Sequence, residues 1–224
     1  MEKYAIIVAG GKGLRMGTDL PKQFLPLGGK PILMRTLEAF SNCDNDIHII
    51  LVLPKEQQEY WKNLCKEYNF SIEHTIADGG KTRFHSVKSG LNKVDTSAKS
   101  LIAVHDGVRP FVSAETIKAT YKTAEQKGTA VPVVPSVDSV RQTKGEENFA
   151  LDRSCIQLVQ TPQTFNSDIL FEAYQQDFTK LFTDDASVVE KAGHKIILCE
   201  GNRENIKITT PFDMTVGNAI LNKK

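Results

Sequence analysis

The chain reads as an α/β protein with a mostly parallel, twisted sheet and helices on both faces. Three observations carry this reading. Strand-like apolar runs alternate with segments of helical spacing. The runs at 4–8, 47–53 and 100–104 are nearly continuously apolar, as strands covered on both faces are. At 224 residues and 24.9 kDa, the length suits one α/β domain better than two.

The elements follow in order. Residues 4–8 form the first strand, and a helix over 31–40 opens with Pro31, whose fixed φ suits a first helical turn. A strand at 47–53 leads to a helix at 55–68, and a strand at 71–76 leads to a helix at 82–91 that Thr82 is suited to cap. The strand at 100–104, the helix at 114–127 and the strand at 130–134 complete the alternation. Residues 136–159 depart from it: two strand-like stretches flank the polar turn Lys144-Gly145-Glu146-Glu147-Asn148. Such a hairpin arm is marginal alone, so it packs either on a second subunit or back on its own domain. Helices at 167–176 and 186–192, strands at 195–199 and 205–208, and a closing helix at 211–221 with proline near its start finish the chain.

Composition narrows the function. Lys and Arg total 28 against 27 Asp and Glu, a formal net charge of +1, so no overall field favours nucleic acid or an anionic membrane. Any phosphate site must be local. Cys43, Cys65, Cys155 and Cys199 stand far apart with no C-x-x-C pair, which argues against structural zinc and a disulfide framework. No apolar run approaches the roughly 20 residues of a membrane span, and no signal-peptide pattern opens the sequence. A cytoplasmic protein is expected.

The most informative segment is residues 9–22, AGGKGLRMGTDLPK, a glycine-rich turn after the first strand with Arg15 and Lys22 close by. Glycines let backbone amides approach phosphate oxygens, and the cations suit a polyphosphate. A dinucleotide fingerprint fails because Met16 stands where its third glycine belongs, and a Walker A loop fails for want of the Gly-Lys-Ser/Thr hydroxyl. The alternative is a tight turn with two solvated cations. Ligands of open α/β sheets gather at the carboxyl ends of strands, so the segments there carry most weight.

Asp106, directly after the 100–104 strand, is the metal candidate, as a carboxylate that could hold Mg²⁺ on phosphate oxygens. Its alternative is a turn residue paired with Arg109. His105 reads as structural, since no H-x-x-x-H or H-E-x-x-H spacing exists. Gly79-Gly80 with Thr82, Arg83 and Ser86 forms a second anion nest, or else a helix start capped by Thr82. Asp184 and Asp185 read as helix-capping acids. No nucleophile triad can be assembled. A dianionic phosphate monoester needs no general base, so catalysis would rest on charge stabilisation by Arg15, Lys22, Lys207 and a metal ion.

The segments AGGKGLRM…PKQF, DGGKTRFHSV, HDGVRPF, VDSV, DR…QTPQTF, TDDAS and NIKITTP stand in the order of one family. Over nearly its full length the chain resembles the 2-C-methyl-D-erythritol 4-phosphate cytidylyltransferases. The resemblance implies a single-domain, Rossmann-like nucleotidyltransferase fold of the GT-A-like kind. It also implies cytidylyl transfer from CTP to the sugar-alcohol phosphate, release of pyrophosphate, and a need for Mg²⁺. By position, Arg15, Lys22 and Lys207 would be catalytic, and Ala9, Gly10, Gly11, Gly13, Gly80, Arg83, Ser86 and Gly107 would hold the nucleotide. Asp106, Arg109, Ser139, Arg153, Thr161 and Thr183 would bind the acceptor. In the family the arm exchanges between two subunits, so Ser139 and Arg153 would serve the other subunit's site in a homodimer. The chain departs from the family at Ala9-Gly10, where two alanines are common, at Gly107, where alanine is, and at Ser139, where threonine is. Related ribitol 5-phosphate cytidylyltransferases share AGGKGxRMG, PKQFLPL and NIKITTP, which makes that acceptor the alternative. A nucleotide-binding subunit without turnover is the alternative outside enzymes.

Overall fold

The computed structural model describes residues 1–10 and 20–223. The first half runs β1 (Glu2–Val8), short β2 (Pro26–Leu27) and β3 (Lys30–Pro31), α1 (Ile32–Cys43), β4 (Ile47–Leu53), α2 (Lys55–Glu67), β5 (Thr75–Asp78), α3 (Arg83–Leu91) and β6 (Ser100–Asp106). There follow α4 (Ala114–Lys127), β7 (Thr129–Pro135), β8 (Val140–Lys144), β9 (Glu147–Leu151), β10 (Gln157–Val159) and β11 (Gln163–Asn166). The chain closes with α5 (Ser167–Ala173), α6 (Asp185–Lys191), β12 (Leu198–Glu200) and α7 (Pro211–Leu221).

The main sheet has the order β10-β7-β11-β6-β1-β4-β5, with β12 also on β7. Strands β6, β1, β4 and β5 are mutually parallel, and β11 enters antiparallel between β6 and β7. Successive residues of a strand face opposite sides, and β1 shows the result. Ala5 and Ile7 join one core with Leu37, Phe40, Trp61, Ile117 and Tyr121, while Tyr4 and Ile6 join the other with Phe84, Val87, Leu170 and Val188. Helices α1, α2 and α4 cover the first face and α3, α5 and α6 the second, so unbroken apolar strands are what the burial demands.

Expected and observed elements coincide at β4, α4 and α7. The strand expected at 71–76 is instead Thr75–Asp78, and three further differences stand out. β11 was not expected, because Gln163 and Thr164 are polar; both are nevertheless fully buried between neighbouring strands. Residues 205–208, expected as a strand, form none, although Ile208 N–H donates to the Val108 carbonyl at 2.9 Å. The strand expected at 195–199 is Leu198–Glu200, beside β7. The excursion resolves into the exposed β8–β9 hairpin, after which β10 rejoins the main sheet.

Capping follows the local sequence. Ser113 caps α4 by accepting from Thr116 N–H, and Thr210 with Asp213 forms a capping box on α7, whose first residue is Pro211. Gly90 lets α3 lie directly on the sheet, since a Cβ there would stand 2.7 Å from Ile6 Cγ2 and 3.1 Å from Val52 Cγ2. Gly90→Ala should therefore destabilise the fold by about 1–2 kcal/mol net, overpacking outweighing the gain in helix propensity. A urea unfolding midpoint equal to that of the unsubstituted chain would refute this contact.

Candidate functional site

The parallel strands β1, β5 and β6 end around a cavity of about 300 Å³. Val8, Ala9 and Gly10 line it from β1, and Gly80, Lys81, Thr82, Arg83 and Ser86 from the turn into α3. Asp106 and Val108 line it from β6, Lys22 and Gln23 from the short turn Lys22–Phe24, and Lys207 from the C-terminal segment. Main-chain bonds set the mouth: Ala9 N–H to Val52 carbonyl (3.0 Å), Gly79 N–H to Leu53 carbonyl (2.7 Å) and Gly107 N–H to Val8 carbonyl (2.9 Å). Among the described residues the lining carries Lys22, Lys81, Arg83 and Lys207 against the single acid Asp106. A local excess of positive charge thus sits in a nearly neutral chain. A larger concavity of about 920 Å³, at Ile47, His48 and residues 71–75, lies by the opposite end of the strands and has no Lys or Arg in its lining.

Asp106 is the electrostatic centre. Its carboxylate lies 3.0 Å from Lys207 Nζ, 3.1 Å from Arg109 Nε and 3.6 Å from Arg83 Nε. Burial pushes its pKa up, but Arg83, Lys207 and Arg109 outweigh burial and hold it well below the usual carboxylate range. The expected pairing with Arg109 is present, as one of three.

Behind Asp106, burial pushes the His105 imidazole down to about 4, which leaves it neutral at pH 7. The Thr161 hydroxyl accepts from Asp106 N–H at 3.1 Å and lies 3.0 Å from His105 Nδ1, while His105 Nε2 lies 3.1 Å from the Arg109 carbonyl. One assignment satisfies all three bonds: Thr161 donates to Nδ1, and Nε2–H donates to the carbonyl. Arg109 Nη1 also donates to the Asn205 carbonyl at 2.8 Å, and Asn205 Nδ2 to the Thr161 carbonyl at 2.8 Å.

The turn into α3 is built from its own polar groups. Thr82 caps the helix through the His85 N–H, Gly80 N–H donates to Ser86 Oγ at 3.0 Å, and Ser86 Oγ–H donates to the Thr82 carbonyl at 3.0 Å. Arg83, the first residue of α3, donates from Nη2 to Asp185 Oδ2 at 2.6 Å, and Tyr174 O–H donates to Asp185 Oδ1 at 2.7 Å.

Of the residues singled out from sequence, Ala9, Gly10, Lys22, Gly80, Arg83, Ser86, Asp106 and Lys207 converge on the cavity. Gly11, Gly13 and Arg15 lie outside the described residues. Gly107 does not line the cavity; its N–H is bonded to Val8, and a Cβ there would meet Ala9 Cβ at 2.9 Å. Arg109 and Thr161 form the wall behind Asp106 rather than the lining, and Thr161 is buried. Ser139 and Arg153 are exposed on and beside the arm, away from their own chain's cavity, and Thr183 is exposed before α6. Asp184 caps α6 as expected, but Asp185 does not cap; it binds Arg83. The sequence signal for Asp185 is a second acid where one cap suffices. Asn205 and Gln163 were also missed, and nothing local marks them as network residues.

Fold and site define an α/β protein of the nucleotidyltransferase class, with a cationic cavity at the carboxyl ends of parallel strands. Comparison with known proteins agrees. Residues 4–223 match the family model IspD, 2-C-methyl-D-erythritol 4-phosphate cytidylyltransferase. The enzyme of that name from Bacteroides thetaiotaomicron is 58% identical over 221 residues, covering 99% of this chain and 100% of the relative. The crystal structure of 4-diphosphocytidyl-2C-methyl-D-erythritol synthase from Anaerococcus prevotii superposes with a TM-score of 0.83 at 30% identity, covering 98% of this chain and 95% of that one. That of 2-C-methyl-D-erythritol 4-phosphate cytidylyltransferase from Thermus thermophilus gives 0.78 at 31% identity, covering 99% and 100%.

The chain belongs to the 2-C-methyl-D-erythritol 4-phosphate cytidylyltransferase family. Its reaction is the family's transfer of a cytidylyl group from CTP to methylerythritol phosphate in the isoprenoid pathway, and the comparisons do not favour ribitol 5-phosphate as acceptor. Within the cavity, a Cβ at Gly80 would lie 2.7 Å from the His85 carbonyl carbon and 2.9 Å from Ser86 N, main-chain atoms that cannot yield cheaply. Gly80→Ala should raise the KM for CTP by roughly tenfold or more through displacement of this turn. A CTP titration with KM unchanged would show that the turn does not hold the nucleotide.

Proposed function

We propose that transfer proceeds in this cavity by direct displacement. An oxygen of the methylerythritol phosphate group forms a bond to the α-phosphorus of CTP as the bond from that phosphorus to the bridging oxygen breaks, and pyrophosphate leaves with the electron pair. A phosphate monoester has a second pKa of about 6, so the nucleophile is already dianionic at neutral pH and no base is required. The observation that carries this reading is the convergence of Lys22, Arg83 and Lys207 on one cavity of about 300 Å³. Lys22 and Lys207 oppose the charge that builds on the α-phosphate and leaving group, with Arg15 as their partner from the glycine-rich loop. Ala9, Gly10 and the Gly80–Ser86 turn hold the nucleotide.

Mg²⁺ fits as a passenger on the triphosphate. Asp106 is the one carboxylate among the described lining residues, and no group of three or more His, Cys, Asp or Glu positioned for a metal occurs among the described residues. Mg²⁺ is commonly bound through one or two carboxylates, with phosphate and water oxygens completing the shell, and Asp106 can supply that single ligand. When bound, the ion would neutralise phosphate charge and orient the leaving group.

The arm supplies the acceptor side of a homodimer in this reading. Val137, Phe149, Leu151, Leu158 and Val159 are exposed large hydrophobics in or beside the arm, an apolar surface suited to a second copy. Ser139 and Arg153 would reach the other subunit's cavity, beside its Asp106, Arg109 and Thr183. The setting is cytoplasmic, in keeping with unpaired Cys43, Cys65, Cys155 and Cys199. Among the described residues no helix is long and apolar enough to cross a membrane.

Pyrophosphate release from CTP, with methylerythritol 4-phosphate and ribitol 5-phosphate in parallel and with Mg²⁺ or EDTA, tests the reading. Release is expected only with methylerythritol phosphate and Mg²⁺; release in EDTA would remove the metal from the mechanism. Lys22→Ala should lower kcat by about a hundredfold or more while the thermal unfolding midpoint holds, and full turnover would remove Lys22 from catalysis. Arg153→Ala should raise the acceptor KM by about tenfold or more with little change for CTP, and equal effects on both substrates would overturn the arm's role.

A further inference from the structure

We propose that Asp185, backed by Tyr174, is a positioning residue that sets the Arg83 guanidinium for the phosphates of CTP. The inference rests on the cytidylyl-transfer reading of the cavity. Asp185 opens α6 and is fully buried, yet the cap of that helix is already supplied by Asp184 with Ser187. Both oxygens of Asp185 are committed elsewhere: Oδ2 accepts from Arg83 Nη2 at 2.6 Å and Oδ1 from Tyr174 O–H at 2.7 Å. The Tyr174 ring stacks on Phe84, the neighbour of Arg83, with centroids 4.7 Å apart, so both parts of the clamp meet the start of α3.

The alternative anion for Arg83 explains the need. Asp106 Oδ1 lies 3.6 Å from Arg83 Nε, an ion pair beyond hydrogen-bond length, and Asp106 also serves Arg109 and Lys207. Deprived of Asp185, Arg83 would close on Asp106, compete with those two cations and turn its donors away from a ligand. With Asp185 in place the guanidinium is held at the cavity wall by a second anion. A planar donor fork recognises phosphate oxygens through its fixed orientation, so fixing that plane acts on affinity.

The test is equilibrium CTP binding by calorimetry, without acceptor, in the unsubstituted and Arg83→Gln backgrounds. Asp185→Asn should weaken CTP binding roughly tenfold or more when Arg83 is present, and no more than about twofold further when residue 83 is Gln, because coupled residues do not act additively. Asp185→Glu should recover part of the loss. Should Asp185→Asn fail to fold, Tyr174→Phe keeps both charges and removes one donor; a few-fold weaker binding with an unchanged melting midpoint is expected. Equal losses from Asp185→Asn in both backgrounds, or unchanged CTP affinity in Tyr174→Phe, would overturn the proposal. Unsubstituted protein that binds CTP but releases no pyrophosphate with methylerythritol phosphate would overturn the functional reading instead, and leaves this coupling measurable.

Discussion

One buried carboxylate organises the site. Asp106 ends the fully buried strand β6, and three cations reach it from three places: Arg83 from the start of α3, Arg109 from the following turn, and Lys207 from the C-terminal segment. A buried carboxylate without partners would be costly, so each cation is needed, and each brings its own stretch of chain to the cavity. The three cations also outnumber the two acids they meet, Asp106 and Asp185, so the cluster that satisfies both carboxylates keeps an excess of positive charge. Stability and binding therefore depend on the same charge balance.

The wall behind Asp106 is polar and linked by its own hydrogen bonds. Neutral His105, the Thr161 hydroxyl and Asn205 link β6, the approach to β11 and the C-terminal segment through hydrogen bonds of 2.8 to 3.1 Å. Their work is orientation: they hold the Asp106 backbone and the Arg109 side chain, while the cavity is lined by other residues. A charged imidazole there would add a cation next to Arg109, and burial removes that charge.

The rest of the fold supplies placement. Parallel strands β1, β5 and β6 stop at one level, so the chain segments that follow them meet, which is why open α/β sheets bind ligands at that end. The antiparallel β11 carries buried Gln163, whose Oε1 accepts from Ala186 N–H at 2.8 Å and whose Nε2 donates to Asp184 Oδ2 at 2.8 Å. That clasp seats the start of α6 beside α3. The β8–β9 hairpin is exposed along almost its whole length, and its apolar residues join none of the cores formed by the described residues.

Local pattern was enough for much of this. Continuous apolar runs named the central strands, 3.6-residue spacing named α4 and, with Pro211, α7, and glycine-rich turns with Lys22, Arg83, Asp106 and Lys207 named side chains that converge on one cavity. These are properties of neighbouring residues, which a single sequence displays. Tertiary structure alone decided that Asp185 binds Arg83, 102 positions away, that polar Gln163 and Thr164 form a buried strand, and that Thr161 and Gly107 stand behind the cavity. Those roles depend on which distant group comes to lie opposite, and a buried polar side chain takes its role from the partner that satisfies it rather than from its neighbours along the chain.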